Sequence, residues 1–212
     1  MTPKERLAEA VQQFKVWADS VFPDGRGGEW ETEYPDWGLL YDAAKSVLGT
    51  DCERWDNETK ELLLYSIARD NEVELLAGTL TEEGVNVLGL HSLTTDERDA
   101  KWQLAEQMRR FPLTIERERI LIAYSQDIEE YVRRIALMVL ADLASPYAEK
   151  IALSAWKDGG EYQRMACLHA LAILNSPALG EYLEMAEFDG RPHLRALSGK
   201  IRDRRDEYGN KK

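Results

Sequence analysis

Glu130 to Pro146 reads EYVRRIALMVLADLASP, and Glu161 to Pro177 reads EYQRMACLHALAILNSP. The two segments open on the same Glu-Tyr, close on the same Ser-Pro and lie 31 residues apart. A period between about 20 and 50 residues marks supersecondary units that stack. One such unit cannot bury its own apolar face, so its neighbours must supply the missing interior. The spacing therefore predicts a repeat array, an architecture that offers a binding surface more often than a catalytic pocket.

The pattern fades on either side. A shift back by 31 residues sets Trp102 under Arg133, Leu104 under Ile135, Ala105 under Ala136 and Met108 under Val139. A shift forward sets Arg195 under Arg164, Leu197 under Ala166 and Ile201 under Ala170. Atypical outer units are expected of a stacked array. From Asp56 onward the apolar spacing predicts one short helix after another, and no alternating run suggests a strand. The later helices are expected over 115–125, 129–144, 146–157, 161–175, 178–187 and 192–207. Earlier ones are expected from Asp56 or Asn57, from an Asn71–Glu74 capping box, from Thr81 and from Thr95.

The N-terminal region differs. Thr2 can cap a helix to Val21, with Pro3 at its first position and Glu5 closing a capping box. Leu7, Ala10, Val11, Phe14, Ala18 and Val21 fall on one helical face. A second helix is expected over Asp36–Leu48, ended by Gly49. Between them runs PDGRGGEWETEYPDWG (Pro23–Gly38), a loop by its glycines and prolines.

The repeats resemble the HEAT-like family of helical hairpins. The resemblance rests on an arginine near the start of each second helix (Arg133, Arg164, Arg195) and on the small-large pairs Ala136-Leu137 and Cys167-Leu168. It covers about residues 96–208, is weaker over 56–95 and does not reach residues 1–50. The family's acidic turn residue before each second helix is missing, and Glu130 and Glu161 stand in for it. The resemblance implies an all-α, right-handed stack of antiparallel helical hairpins, an α-solenoid, with an N-terminal helical cap. It also implies a habit of binding proteins, peptides or nucleic acids. The expected organisation is a cap with an acidic aromatic loop over 1–55, repeats over 56–208 and a tail over 209–212, in one continuous structural domain.

Charge narrows the partner. The chain of 212 residues carries −12, and residues 1–100 hold 9 Lys and Arg against 22 Asp and Glu, a net −13. The remainder hold 18 against 17. Such a field repels phosphate backbones and draws basic partners. The arginines at 109, 110, 133, 134, 164, 191, 195, 202, 204 and 205 are interleaved with acids, which disfavours nucleic acid. No apolar run approaches the roughly 20 residues of a membrane span. The N-terminus enters an amphipathic helix rather than an apolar signal core, which predicts a cytoplasmic chain without membrane contact.

Catalytic and metal chemistry find little support. Cys52 and Cys167 are far apart, and His91, His169 and His193 lack ligand spacing. Cys167 sits in an apolar helical pattern, where a buried inert thiol is expected. Ser154 and Lys157 have an SxxK spacing without its companion motifs, and Gly25-Arg26-Gly27-Gly28 lacks the strand–loop–helix context of a phosphate cradle. No catalytic residue, metal or cofactor is assigned, and the chain is read as a non-enzymatic protein.

The strongest local signal is the loop. Asp24 to Asp36 carries five acids and one base, with Trp30 and Tyr34 among them and Trp37 directly after. Asp24, Glu29, Trp30, Glu31, Glu33, Tyr34, Asp36 and Trp37 are the candidate partner-binding residues, since rigid aromatics and carboxylates suit a basic protein surface. The competing expectation folds the tryptophans back on the first helices. The sharpest functional expectation is an immunity-type inhibitor of a bacterial nuclease toxin. A HEAT-like scaffold or assembly factor for a peptide or subunit is the alternative, with a base-excision enzyme of this fold behind it.

Overall fold

The computed structural model describes residues 1–209, the side chains of 158 and 204–209 excepted. The described chain is all-α, with twelve α-helices, two short 3-10 turns and no strand among the described residues. It divides into two compact units, Met1–Phe111 and Pro112–Lys212. The residues expected to form the cap lie in the first unit, where the helices Pro3–Val21 and Trp37–Leu48 pack against the helix Asn57–Arg69. The tail expected over 209–212 lies, beyond Gly209, outside the described residues.

The first unit holds α1 (Pro3–Val21), α2 (Trp37–Leu48), α3 (Asn57–Arg69), α4 (Leu75–Gly78), α5 (Glu82–Ser92) and α6 (Arg98–Met108). The capping box at its start is present: Glu5 N–H donates to Thr2 Oγ1 at 3.2 Å, and Thr2 N–H to Glu5 Oε2 at 2.7 Å. The α1 stripe Leu7, Ala10, Val11, Phe14 and Ala18 is buried as its spacing predicts, while Val21 is exposed. Helix α3 is central, packing on α1, α2, α4, α5 and α6.

One cap differs from expectation. Asn71 and Glu74 form no capping box, and Glu74 sits in the left-handed region at φ 55°. Asp70, buried at the end of α3, does the capping instead: its Oδ2 accepts from Leu76 N–H at 2.8 Å. The helix it caps, α4, is four residues long.

The second unit holds α7 (Ile115–Tyr124), α8 (Glu130–Asp142), α9 (Ala148–Asp158), α10 (Glu161–Ile173), α11 (Leu179–Phe188) and α12 (Pro192–Gly209). Within it α8 packs on α7, α9 and α10, and α10 on α9, α11 and α12. The 31-residue period reappears as geometry. Ala144 and Asn175 both turn left-handed, at φ 53° and 50°, to end α8 and α10. The next residues, Ser145 and Ser176, donate N–H to Leu140 O and Leu171 O at 2.9 Å each, the long closing bond of a Schellman end.

The serine hydroxyls repeat as well. Ser145 Oγ donates to Glu118 Oε1 at 2.7 Å, and Ser176 Oγ to Glu149 Oε1 at 2.5 Å. Each hydroxyl also accepts an N–H at the start of the following helix, from Tyr147 and Ala178. A left-handed alanine is strained by its Cβ where glycine is not. Ala144→Gly is therefore expected to raise stability by about 0.5–1 kcal/mol, read as a higher urea midpoint with an unchanged slope.

An aspartate lies in the turn before α8 and in the turn before α12. Asp127 Oδ1 accepts from Glu129 N–H, and Asp189 Oδ1 from Arg191 N–H, both at 3.0 Å. Aspartates recur at 96, 127, 158 and 189, a strict spacing of 31. Asp127 and Asp189 precede the second helix by a short turn instead of adjoining it. Glu161 serves a different helix. Its Oε1 accepts from His193 and Leu194 N–H at 2.8 and 3.1 Å, capping α12.

Candidate functional site

Two glycines with positive φ, Gly25 at 132° and Gly28 at 66°, let the chain turn back after α1. The segment then winds into a 3-10 turn, Trp30–Glu33, that lies on the α1 face carrying Phe14. Phe14 is fully buried, and five rings meet it edge-on: Trp17, Trp30, Tyr34, Trp37 and Tyr65, at centroid distances of 4.6–6.1 Å. Arg26 closes the far side, its guanidinium 4.8 Å above the Trp30 ring and paired with Asp19.

This geometry separates the eight candidate residues. Trp30 and Tyr34 are buried, at 8% and 5% exposure, and act as the floor of the loop rather than as surface anchors. Trp37 is half-buried and donates Nε1–H to Glu31 O at 3.0 Å. Asp24, Glu29, Glu33 and Asp36 are exposed and form the charged surface. Glu31 is the exception among the acids, at 4% exposure. A 3-10 turn has about three residues per turn, so Glu31 shares the inward side with Tyr34.

Beside Glu31 lies a cavity of about 270 Å³, reached between the start of α2 and the turn after α3. Trp37 and Tyr41 line it with rings 5.2 Å apart and 26° from parallel. Tyr41 O–H donates to Asp70 Oδ1 at 2.7 Å, which fixes that ring. Arg69 and Asn71 complete the polar lining. Arg69 is held by Glu97 at 2.8 Å and lies over the Tyr65 ring. Of these residues only Asp70 and Asn71 border a turn signal that sequence reading uses; nothing in the spacing links Tyr41 or Arg69 to the loop.

Burial raises the carboxyl of Glu31 above the usual glutamate range, Arg69 working against the shift and Asp99 and Glu72 with it. The same cause raises Asp70, against the N–H of Leu76 and the hydroxyl of Tyr41. A folded-state pKa above the unfolded value means that the folded protein holds the proton more tightly. The stability from Glu31 is then present below the ordinary glutamate pKa and is lost as pH rises through the raised one. Glu31→Gln is expected to match the parent protein near pH 4 and to exceed it in urea midpoint at pH 7; equal midpoints at both pH values would refute this.

Other chemistry-bearing groups are occupied elsewhere. Burial pushes the Cys167 thiol up to about 12, in keeping with an inert core residue. His193 stacks on Tyr162. Among the described residues no cluster of His, Cys, Asp and Glu could hold a metal ion. Arg109, Arg134, Arg164, Arg191 and Arg202 each meet a carboxylate, of Glu106, Glu130, Asp189, Asp189 and Glu187. Among the described residues no helix is long and apolar enough to cross a membrane. No protein-family model, curated protein or solved structure matches the chain.

Proposed function

We propose that the chain is a non-enzymatic protein-binding module of the bacterial cytoplasm, an immunity-type inhibitor that neutralises a basic nuclease toxin. We also read α7–α12 as right-handed HEAT-like hairpins, on the strength of the recurring serine–glutamate links. The observation that carries the function is the loop surface: four exposed carboxylates on a backbone pinned from beneath by a six-ring cluster. A rigid acidic surface presents charge without an ordering cost at binding. It resembles the charge, though not the chemistry, of a nucleic-acid substrate, and so suits a nuclease cleft.

The scaffold reading would place exposed tryptophan and tyrosine in contact with a ligand. Burial of Trp30 and Tyr34 favours the reading based on acids. A base-excision enzyme would need free cations facing DNA, and Arg109, Arg134, Arg164, Arg191 and Arg202 are matched by carboxylates. The test is capture of a partner at low ionic strength, followed by a nuclease assay. A basic protein should be retained, its nuclease activity should fall when the chain is added, and raising the salt from about 0.05 to 0.5 M should slow association steeply. A neutral or acidic partner, or association indifferent to salt, would end this reading.

A further inference from the structure

Glu31 presents a problem that its own fold does not solve. The side chain is more than nine-tenths buried and lines the cavity, yet its Oε2 has no hydrogen-bond partner. A buried acceptor left unmet is costly and calls for an explanation in a bound group. Asn71, also in the lining, brings in Oδ1 as a second acceptor without a partner. Both acceptors need donors. The charge agrees: Glu31, Asp70 and Glu72 line the cavity against Arg69 alone, and Arg69 is tied to Glu97.

The remaining wall is aromatic. Trp37 and Tyr41 are half-buried and stack on one another, and Lys45 Nζ already lies 5.8 Å from the centre of the Tyr41 ring, which leaves Trp37 as the ring for a second cation. Aromatic faces attract cations, and a guanidinium also stacks on them while offering several N–H donors in one plane. The volume, about 270 Å³, is below the usual range for a drug-sized ligand and suits one side chain. Arg69 Nε also lacks a hydrogen-bond partner, although its guanidinium is engaged by the Tyr65 ring and by Glu97.

We propose that this cavity receives the guanidinium of a partner's arginine side chain, packed against Trp37 and donating to Glu31 Oε2 and Asn71 Oδ1. The inference rests on the reading above for the source of the arginine, a basic protein. It adds a specific socket beside the diffuse acidic surface. Asp70 takes no part in the contact: both of its oxygens accept from within the fold, and it positions Tyr41.

The test follows the Trp37 indole N–H signal by NMR during titration of the full chain. N-acetyl-argininamide and a short neutral peptide with one arginine should shift it saturably. The same compounds with citrulline, which keeps the shape and loses the charge, should not. Glu31→Gln should weaken binding by about tenfold or more, the loss expected for a hydrogen bond to a charged group. Trp37→Leu, which lacks the reporting indole and is titrated by calorimetry beside the parent chain, should weaken it as well, while circular dichroism confirms the fold.

Equal response to citrulline and arginine, or indifference to Glu31→Gln, overturns the proposal. So does tighter binding of free arginine than of its capped form, which would signal a zwitterion with its carboxylate on Arg69. Retention of a basic nuclease that ignores Glu31→Gln would sink the socket and leave the acidic-surface reading intact. A socket that takes the arginine peptide as expected, in a chain that retains no basic protein, would do the reverse.

Discussion

Phe14→Ala is expected to destabilise the first unit by about 3–5 kcal/mol, the range for removing a fully buried phenylalanine. The structural reason places it at the upper end. Phe14 has no exposed surface, and its ring is the common neighbour of Trp17, Trp30, Tyr34, Trp37 and Tyr65. Edge-on aromatic pairs add roughly 0.5–1.5 kcal/mol each beyond their buried area. Losing the shared ring removes five of them together. The loop should loosen before the rest of the unit, because Trp30 and Tyr34 join it to α1 through these rings. Urea unfolding should show the loss, and hydrogen exchange in 28–36 should rise well above that in α3. Phe14→Leu fills most of the volume and should cost clearly less. Equal exchange in the loop and in α3 would mean that the rings do not pin it.

The second large effect is electrostatic. Reversal of Asp24, Glu29, Glu33 and Asp36 to lysine should slow association with a basic partner by about 100-fold or more at low salt, within the range that steering supplies. Dissociation should change less, as expected when rim charges are altered. The four residues are exposed, so the urea midpoint should move little. Stopped-flow association across a salt series decides the matter: the parent and the reversed protein should converge as salt rises and screening shortens. Parallel salt dependences would place the steering charge elsewhere in residues 1–100. Glu31 stays out of this set. Its carboxyl is buried, and lysine there would force an ammonium into the aromatic wall and confuse a fold defect with a binding defect.

Much of the architecture can be read from residue spacing, because helices announce themselves locally. Thr2, Pro3 and Glu5 form the expected cap, and the Leu7–Ala18 stripe is the buried one. The repeat at 130–177 reappears as paired left-handed ends and paired serine–glutamate bonds. The failures have two causes, a partner far along the chain and a cap set back into the turn. Asp70 caps α4 from across a turn and is held by Tyr41, 29 residues earlier, whereas spacing alone favours the nearer Asn71–Glu74 pair. The aspartates at 127 and 189 sit in the turn rather than against the helix, and a search one residue before each helix passes over them.

The loop is legible by composition and opaque in orientation. Alternation of acids and rings suggests one mixed surface. A three-residue winding sends Trp30, Glu31 and Tyr34 inward and leaves the other carboxylates in water. Nothing in the local spacing marks Glu31 apart from Glu29 and Glu33. Its environment is made by Arg69 and Asn71 at the end of α3, which only the tertiary fold brings near.

The serine–glutamate links have a consequence for how such a chain changes length. Each hydroxyl joins a glutamate 27 residues upstream to the opening of the following helix, and the same wiring recurs one period later. A duplicated segment of 31 residues would arrive with both halves of that connector already matched to whatever precedes and succeeds it. An insertion that moved either serine away from its glutamate would leave that hydroxyl without its acid and break the joint.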